Sequence, residues 1–238
     1  MKTKLAIFSL IIALGFISTS YSQFYVKVGG GYSFLPVSGF AFNDKGDSSG
    51  SISYKSYGMG VQPVLGIGYY VNRNVALELN GMYLIGQKHE QTPTGATNKM
   101  YGEGIFISPS LKVVAPIKNV SLYSRMGLVI GIPKVKMETE VTSPASFTQK
   151  SENRGGMGMG LDAALGIDIK ANKMISIFVE LNGMALNYAP DEMEVTEQSA
   201  GTLPPIVTYT DFNRPYFAFG NFGGKVGVSF LFGKMPKK

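Results

Sequence analysis

Residues 57–70, YGMGVQPVLGIGYY, alternate with a period of two. One face carries Tyr57, Met59, Val61, Pro63, Leu65, Ile67 and Tyr69; the other carries Gly58, Gly60, Gln62, Val64, Gly66, Gly68 and Tyr70. Residues 156–169 repeat the split, with Met157, Met159, Leu161, Ala163, Leu165 and Ile167 against Gly158, Gly160, Asp162, Ala164, Gly166 and Asp168. Side chains that alternate in this way belong to β-strands with two unlike faces, not to helices. The same reading predicts eight strands, near 23–34, 56–71, 74–87, 100–115, 120–133, 156–169, 174–188 and 215–232. Thirty glycines beside 13 Tyr and 15 Phe fit that class, since glycine is poor helix material and aromatics favour strands.

The connections alternate in length. VNRN (71–74), PIKN (116–119) and KANK (170–173) are short and contain the Asn favoured in tight turns, whereas 35–55, 88–99, 134–155 and 189–214 are long and polar. Short turns at one end and long loops at the other describe an all-β, eight-stranded antiparallel transmembrane barrel. A soluble lipocalin-like barrel would turn the aliphatic face inward, so the second face decides. Its glycines suit a narrow lumen in which small residues interleave with large ones. Lys27, Glu78, Lys112, Arg125, Asp162, Glu180 and Lys225 all lie in mid-strand on that same face. On the lipid side an Arg or Lys at the midplane costs about 2–4 kcal/mol. Inside, Lys27, Lys112, Arg125 and Lys225 have Glu78, Asp162 and Glu180 to pair with. Glu78 and Glu180 each open a copy of Glu-Leu-Asn-Gly-Met (78–82 and 180–184), preceded in both cases by Leu-Gly-Ile, which suggests an old duplication. Pro63 and Pro109 lack an N–H within the ladder, and a bulge near each is expected.

The N-terminus, MKTKLAIFSLIIALGFISTSYSQ, has two lysines, an apolar core from Leu5 to Ile17 and small residues before Gln23. It predicts a signal peptide over 1–22, cleaved after Ser22, and a barrel domain over 23–238. With no cysteine, disulfides, thiolate zinc sites and thiol catalysis are excluded. The formal charge of +6, two units of it in the leader, is scattered and does not suggest nucleic acid.

These segments, with the strand–turn–strand units VQPVLGIGYYVNRNVALEL and ISPSLKVVAPIKNVSL and the terminal KVGVSFLF (225–232), resemble the small eight-stranded outer-membrane β-barrel family. That family contains the transmembrane domain of outer-membrane protein A and outer-membrane protein X, and the two units are typical of its Bacteroidetes-type members. The resemblance implies a monomer in the bacterial outer membrane, in contact with outer-membrane lipids and lipopolysaccharide. It also implies that Lys225, Gly227, Phe230 and Phe232 form the terminal signal read by the barrel-assembly machinery, although here GKMPKK follows the aromatic end. Tyr69, Tyr83 and Tyr216 are expected in the interfacial girdle. The few residues after the last strand leave no room for a peptidoglycan-binding domain, so that activity is not carried over.

Chemistry is sparse. His89, the only histidine, lies in GQKHEQ between Lys88 and Glu90 and is expected in solvent. Two lipid A-modifying enzymes of this size class combine His with Ser and an acid, but no local pattern here matches them. FNDKGD (42–47) lacks calcium-loop spacing and reads as a solvated turn; Gly29–Gly31 and RGGMGMG (154–160) are not phosphate loops. No cofactor or metal is implied, and no enzyme is expected. The leading class is a structural or surface-interaction barrel with a plugged lumen and a possible extracellular ligand on its long loops. The alternative is a narrow pore or small-ligand transport barrel, and a lipid A-modifying enzyme ranks last.

Overall fold

The structure, a computed structural model, describes residues 23–45, 50–142 and 146–233. The expected signal peptide lies outside the described residues. Fifteen strands follow in order: β1 (Gln23–Pro36), β2 (Phe40–Asn43), β3 (Ile52–Lys55), β4 (Gly60–Tyr70), β5 (Val75–Gly86), β6 (His89–Gln91), β7 (Ala96–Ile117), β8 (Val120–Val141), β9 (Phe147–Arg154), β10 (Gly158–Lys170), β11 (Ile175–Tyr188), β12 (Glu192–Gln198), β13 (Val207–Thr208), β14 (Phe217–Ala218) and β15 (Asn221–Phe232). Eight of them form a ring of antiparallel pairs in the order β1, β4, β5, β7, β8, β10, β11, β15 and back to β1. Phe24 opposite Phe232 joins the last strand to the first, so the barrel closes without a free edge.

Two of the three tight turns are built by asparagine side chains. Asn72 Oδ1 accepts the N–H of Asn74 (2.8 Å) and Val75 (2.9 Å). Asn172 Oδ1 does the same for Met174 and Ile175, both at 2.8 Å. At the third turn the backbone work falls to Lys118, at φ 52°.

The aliphatic side chains face outward, as Leu65 (60 % exposed), Leu165 (66 %) and Met126 (63 %) show on three different strands. Phe24 and Phe232 meet at a tilt of 38° at the turn end of this band, and Phe34 and Phe222 meet edge-on near its other end, each pair 6.3 Å apart. Tyr69 and Tyr83 also face outward; Tyr216 precedes β14 and stands outside the barrel wall.

Four expectations change. No bulge forms at either proline. Gln62 and Pro63 are unpaired toward β5, and Ser108 and Pro109 toward β8, but the register on both sides is the same. Each proline still stands in the ladder on its other side, Pro63 opposite Gly30 and Pro109 opposite Leu79, so one skipped rung accommodates the missing N–H. The register shift on the barrel lies instead between Ser33 and Leu35. The second strand starts at Gly60, at φ 139°, so Tyr57 and Met59 fold inward and are buried, not lipid-facing. The last strand starts at Asn221, not near 215, because residues 217–220 cross the barrel mouth.

The long connections are themselves largely strands. β7 and β8 each run 22 residues and rise beyond the apolar band. There β6, β9, β12 and β13 extend the sheet outside the ring. Cross-strand ion pairs lace this outer sheet, including Lys136–Glu103 (2.5 Å), Lys134–Glu152 (2.8 Å) and Arg154–Glu194 (2.8 Å). The solvent-accessible pairs among these each contribute about 0–1 kcal/mol. The sheet's rigidity comes mainly from its ladder and from Val135 and Met137, which join the apolar cluster in the mouth.

Candidate functional site

The lumen changes character along its length, and the repeated pentapeptide shows how. On β5 the inward side chains read Ala76, Glu78, Asn80, Met82 and Leu84; on β11 they read Phe178, Glu180, Asn182, Met184 and Leu186. From the turn end outward, each strand passes from carboxylate to amide to apolar side chain. The Leu and Gly of each repeat point to the membrane side.

The charged layer is a connected network. Glu78 pairs with Lys27, which also lies 4.0 Å from Glu180. Arg125 bridges two carboxylates, Asp162 and Glu180, the latter at 2.9 Å. Tyr123 donates its O–H to Glu180 (3.1 Å), Ser108 to Asp162 (3.0 Å), and Asn182 donates an amide N–H to Asp162 (2.5 Å). Lys112 does not meet Glu78 or Glu180. It pairs at 2.8 Å with Asp168, a residue outside the expected network, with its ammonium 3.8 Å from the centre of the Tyr123 ring. Asp168 was visible on the inward face of 156–169, two residues from the strand end; its partner on β7 was not. With it, four cations stand against four carboxylates. Lys225 sits opposite Glu180 in the ladder but forms no ion pair among the described residues. Burying charges in such a lumen costs least where they are paired and hydrogen-bonded, and the contacts above pair the seven other groups within the ring.

Glycines on the inner wall make room for the tyrosines that close the turn end. A Cβ on Gly68 would stand 2.1 Å from the Tyr25 ring, and one on Gly166 would stand 2.4 Å from that of Tyr123. Tyr25 packs against Tyr70, Ala76 and Leu231.

The outer mouth is closed by apolar side chains. Residues 217–220 lie as a strap between β11 and the segment before β4. The Phe219 N–H donates to the Leu186 carbonyl (2.9 Å), and the Ala218 carbonyl accepts the N–H of Tyr57 (2.9 Å). Phe219, fully buried, meets Tyr57, Phe106 and Tyr188 at 5.9–6.2 Å between ring centres. Beneath the strap Gln62 donates to Ser33 (2.8 Å), and Ser33 donates to Asn221 (2.8 Å). The void left between charged and apolar layers is about 20 Å³, bounded by Lys225, Asn80 and Arg125 below and by Phe106, Val129 and Met184 above. That is room for one water molecule.

His89 is not in solvent. It is 3 % exposed, packs edge-on against Phe40 and lies 5.9 Å from the Phe42 ring. Its Nε2–H donates to the Ser56 carbonyl at 3.1 Å. Burial first, and the Lys55 charge, hold its pKa below the ordinary value, with the Ser56 carbonyl opposing. The folded protein therefore prefers neutral His89. The stability this contributes is complete above about pH 6.5 and is lost as pH falls below that value. A ring titration followed by NMR is expected to give a pKa below 6.5; a midpoint above it would contradict this packing. In the FNDKGD segment, Asn43 Oδ1 accepts the Lys45 N–H (3.0 Å) and Asp44 the Ser51 N–H (2.7 Å), while Gly46 and Asp47 lie outside the described residues.

Comparisons with known proteins agree with this architecture. A family model described as an outer membrane protein beta-barrel domain matches residues 6–202. A search of curated proteins finds no match. Among solved structures, the outer membrane protein OprG of Pseudomonas aeruginosa aligns with a TM-score of 0.50 at 10 % identity, over 90 % of this chain and 97 % of that one. Ail, the attachment invasion locus protein of Yersinia pestis, aligns with a TM-score of 0.42 at 12 % identity, over 89 % of this chain and 99 % of its own. The N-terminal beta-barrel domain of Pseudomonas aeruginosa OprF gives 0.40 at 12 %, over 89 % and 97 %. At these identities the likeness concerns the fold alone. The family match, the closed eight-stranded ring and its outward apolar band together make this chain a member of the outer membrane protein beta-barrel family, a protein of the bacterial outer membrane.

Proposed function

We propose that this barrel is a non-conducting, non-enzymatic anchor that displays a rigid outer sheet for interaction at the cell surface. The observation that carries this reading is the filled lumen. A tyrosine floor, a charge-balanced layer and an aromatic cap succeed one another, and the void between the last two has room for only one water. The seven charged positions Lys27, Glu78, Lys112, Arg125, Asp162, Glu180 and Lys225, together with Asp168, are then a plug, not the lining of a path. On this reading the protein is monomeric and surrounded by outer-membrane lipids and lipopolysaccharide.

The terminal strand has a second role in the proposal, as the recognition element for barrel assembly. Phe230 and Phe232 are exposed on the outer wall, where they are open to contact by another protein. Gly227 serves the inside, since a Cβ there would stand 2.6 Å from the Phe178 ring. Lys225 also faces the lumen, so its contribution to such a signal is made before the barrel closes.

Ion conductance of the refolded protein in a planar bilayer tests the plug. Silence is expected. Steady, defined current steps would show that the charged layer lines a pore, and a transport role would replace the anchor.

A further inference from the structure

The two ends of the barrel carry different arrangements of charge. At the mouth, acids and bases are interleaved and paired, as in Lys134–Glu152, Arg154–Glu192 and Arg214–Asp191 at 2.8–3.0 Å. At the other end each of the three tight turns displays a cation, Arg73, Lys118 and Lys173, and all three are exposed. None of them forms an ion pair among the described residues. The described carboxylates show why. Glu78, Asp162, Asp168 and Glu180 are buried in the lumen, and the others belong to the connections and strand ends of the mouth.

The turns fix where these cations stand. Arg73 and Lys173 occupy the same place in the two asparagine-built turns, each between the Asn and the two N–H groups that its Oδ1 accepts. Lys118 takes its φ of 52° at the tip of the third. Each has an exposed apolar neighbour one or two residues away, Val71 (51 %), Ile117 (56 %) and Met174 (61 %). Those side chains border the lipid-facing band, so the cations stand just beyond the hydrocarbon, at the level of lipid headgroups. Long Lys and Arg side chains suit that position, with the stem along apolar surface and the head in the polar layer. The turns join β4 to β5, β7 to β8 and β10 to β11, two strands apart around the ring of eight. Spread in that way the cations do not converge on one small anion, but each can meet a headgroup of its own.

We infer that the turn end of the barrel, which in this class of protein faces the periplasm, selects anionic phospholipid headgroups in the inner leaflet of the outer membrane. Charge complementarity carries the inference. Three exposed cations stand at that end, no described carboxylate there is exposed, and the headgroup layer is within reach of all three. A Lys or Arg near an anionic lipid surface favours it about fivefold, and salt screens the attraction. This role goes beyond the surface display proposed above and holds whether or not the lumen conducts.

The chain has no tryptophan, so a single introduced Trp reports its own lipid neighbours. Met174→Trp places the reporter beside Lys173, and Met159→Trp, at a position 67 % exposed, places one toward the mouth. Each variant is refolded into vesicles of phosphatidylcholine and phosphatidylglycerol, with bromine on the acyl chains of one lipid or the other. Quenching of the Trp then gives the relative occupancy of the two lipids at each site. At Met174→Trp the anionic lipid is expected to be favoured about fivefold in low salt, and not at all in about 1 M sodium chloride, where charges are screened within about 3 Å. Arg73→Gln, Lys118→Gln and Lys173→Gln together, all at exposed turn positions, should remove most of the preference, and Met159→Trp should show none. Equal quenching by the two lipids at Met174→Trp overturns the inference. So does a preference that survives high salt or the triple substitution, or one equally strong at Met159→Trp. Loss of the preference on adding inorganic phosphate at constant ionic strength overturns it as well, and would make the turns a site for the free anion.

Discussion

Replacing Arg125 with methionine is expected to destabilise the refolded barrel by about 3–5 kcal/mol, read as a fall in the urea midpoint of reversible unfolding in lipid vesicles. Arg125 is 3 % exposed and is the shared partner of Asp162 and Glu180. Its removal takes the shared counter-charge from two buried carboxylates, leaving Asp162 with neutral donors and Glu180 with Tyr123 and Lys27 at 4.0 Å, and the cost is chiefly theirs, not the lost attraction. The physical cause is separable from loss of packing. Adding Asp162→Asn and Glu180→Gln to Arg125→Met removes the stranded charges, and the triple variant should recover most of the lost stability. Non-additivity of that size is what residues in one network show. A single variant within about 0.5 kcal/mol of the parent, inside the range of ordinary surface changes, would mean that the network is solvated and that the lumen is open to water. No recovery in the triple variant would assign the loss to the arginine's packing instead.

Phe219→Ala should be comparably costly, about 3–5 kcal/mol, because the ring is completely buried among Tyr57, Phe106 and Tyr188. The informative outcome lies in the bilayer. The charged layer lies below the cap and makes its contacts independently of Phe219, so the destabilised barrel should remain electrically silent. Current through Phe219→Ala alone would make the aromatic strap the only barrier and the charged layer a conducting lining. Gly58→Ala should disturb the same strap from the other side, since a Cβ there would stand 1.9 Å from the Phe219 carbonyl oxygen. Its effect should appear as a lowered thermal midpoint of the β-sheet circular dichroism signal.

Much of the barrel was legible because a strand writes its two environments into alternate residues. Val61, Leu65 and Ile67 against Gln62, Gly66 and Gly68 say which side meets lipid, and the same is true of Leu161 and Leu165 against Asp162 and Gly166. The outer sheet was less legible for a reason equally physical. Pro133 to Val141, PKVKMETEV, and Glu192 to Gln198, EMEVTEQ, also alternate, but charged against apolar instead of aliphatic against glycine. Judged by the rule for a lipid-facing wall they read as polar loops. Above the membrane, water solvates the charged face and the same period still makes a strand.

Tyr57 shows where local reading fails outright. Its parity within 57–70 places it with Val61 and Leu65, but the Gly58–Gly60 segment turns the chain before β4 begins, and the ring enters the mouth. His89 fails similarly: two charged neighbours suggested solvent, while Phe40 and Phe42, nearly fifty residues earlier, bury it.

The sequence by itself determined the number of barrel strands, the end that carries tight turns, the face that meets lipid and the polarity of the lumen. All of these follow from spacing within one strand or one turn. Only the tertiary structure decided that Arg125 meets Asp162 and Glu180, 37 and 55 residues away, that Lys112 takes Asp168, and that Phe219 caps the mouth. Those choices depend on the stagger between strands distant in the chain, and a two-residue period is the same for every such stagger.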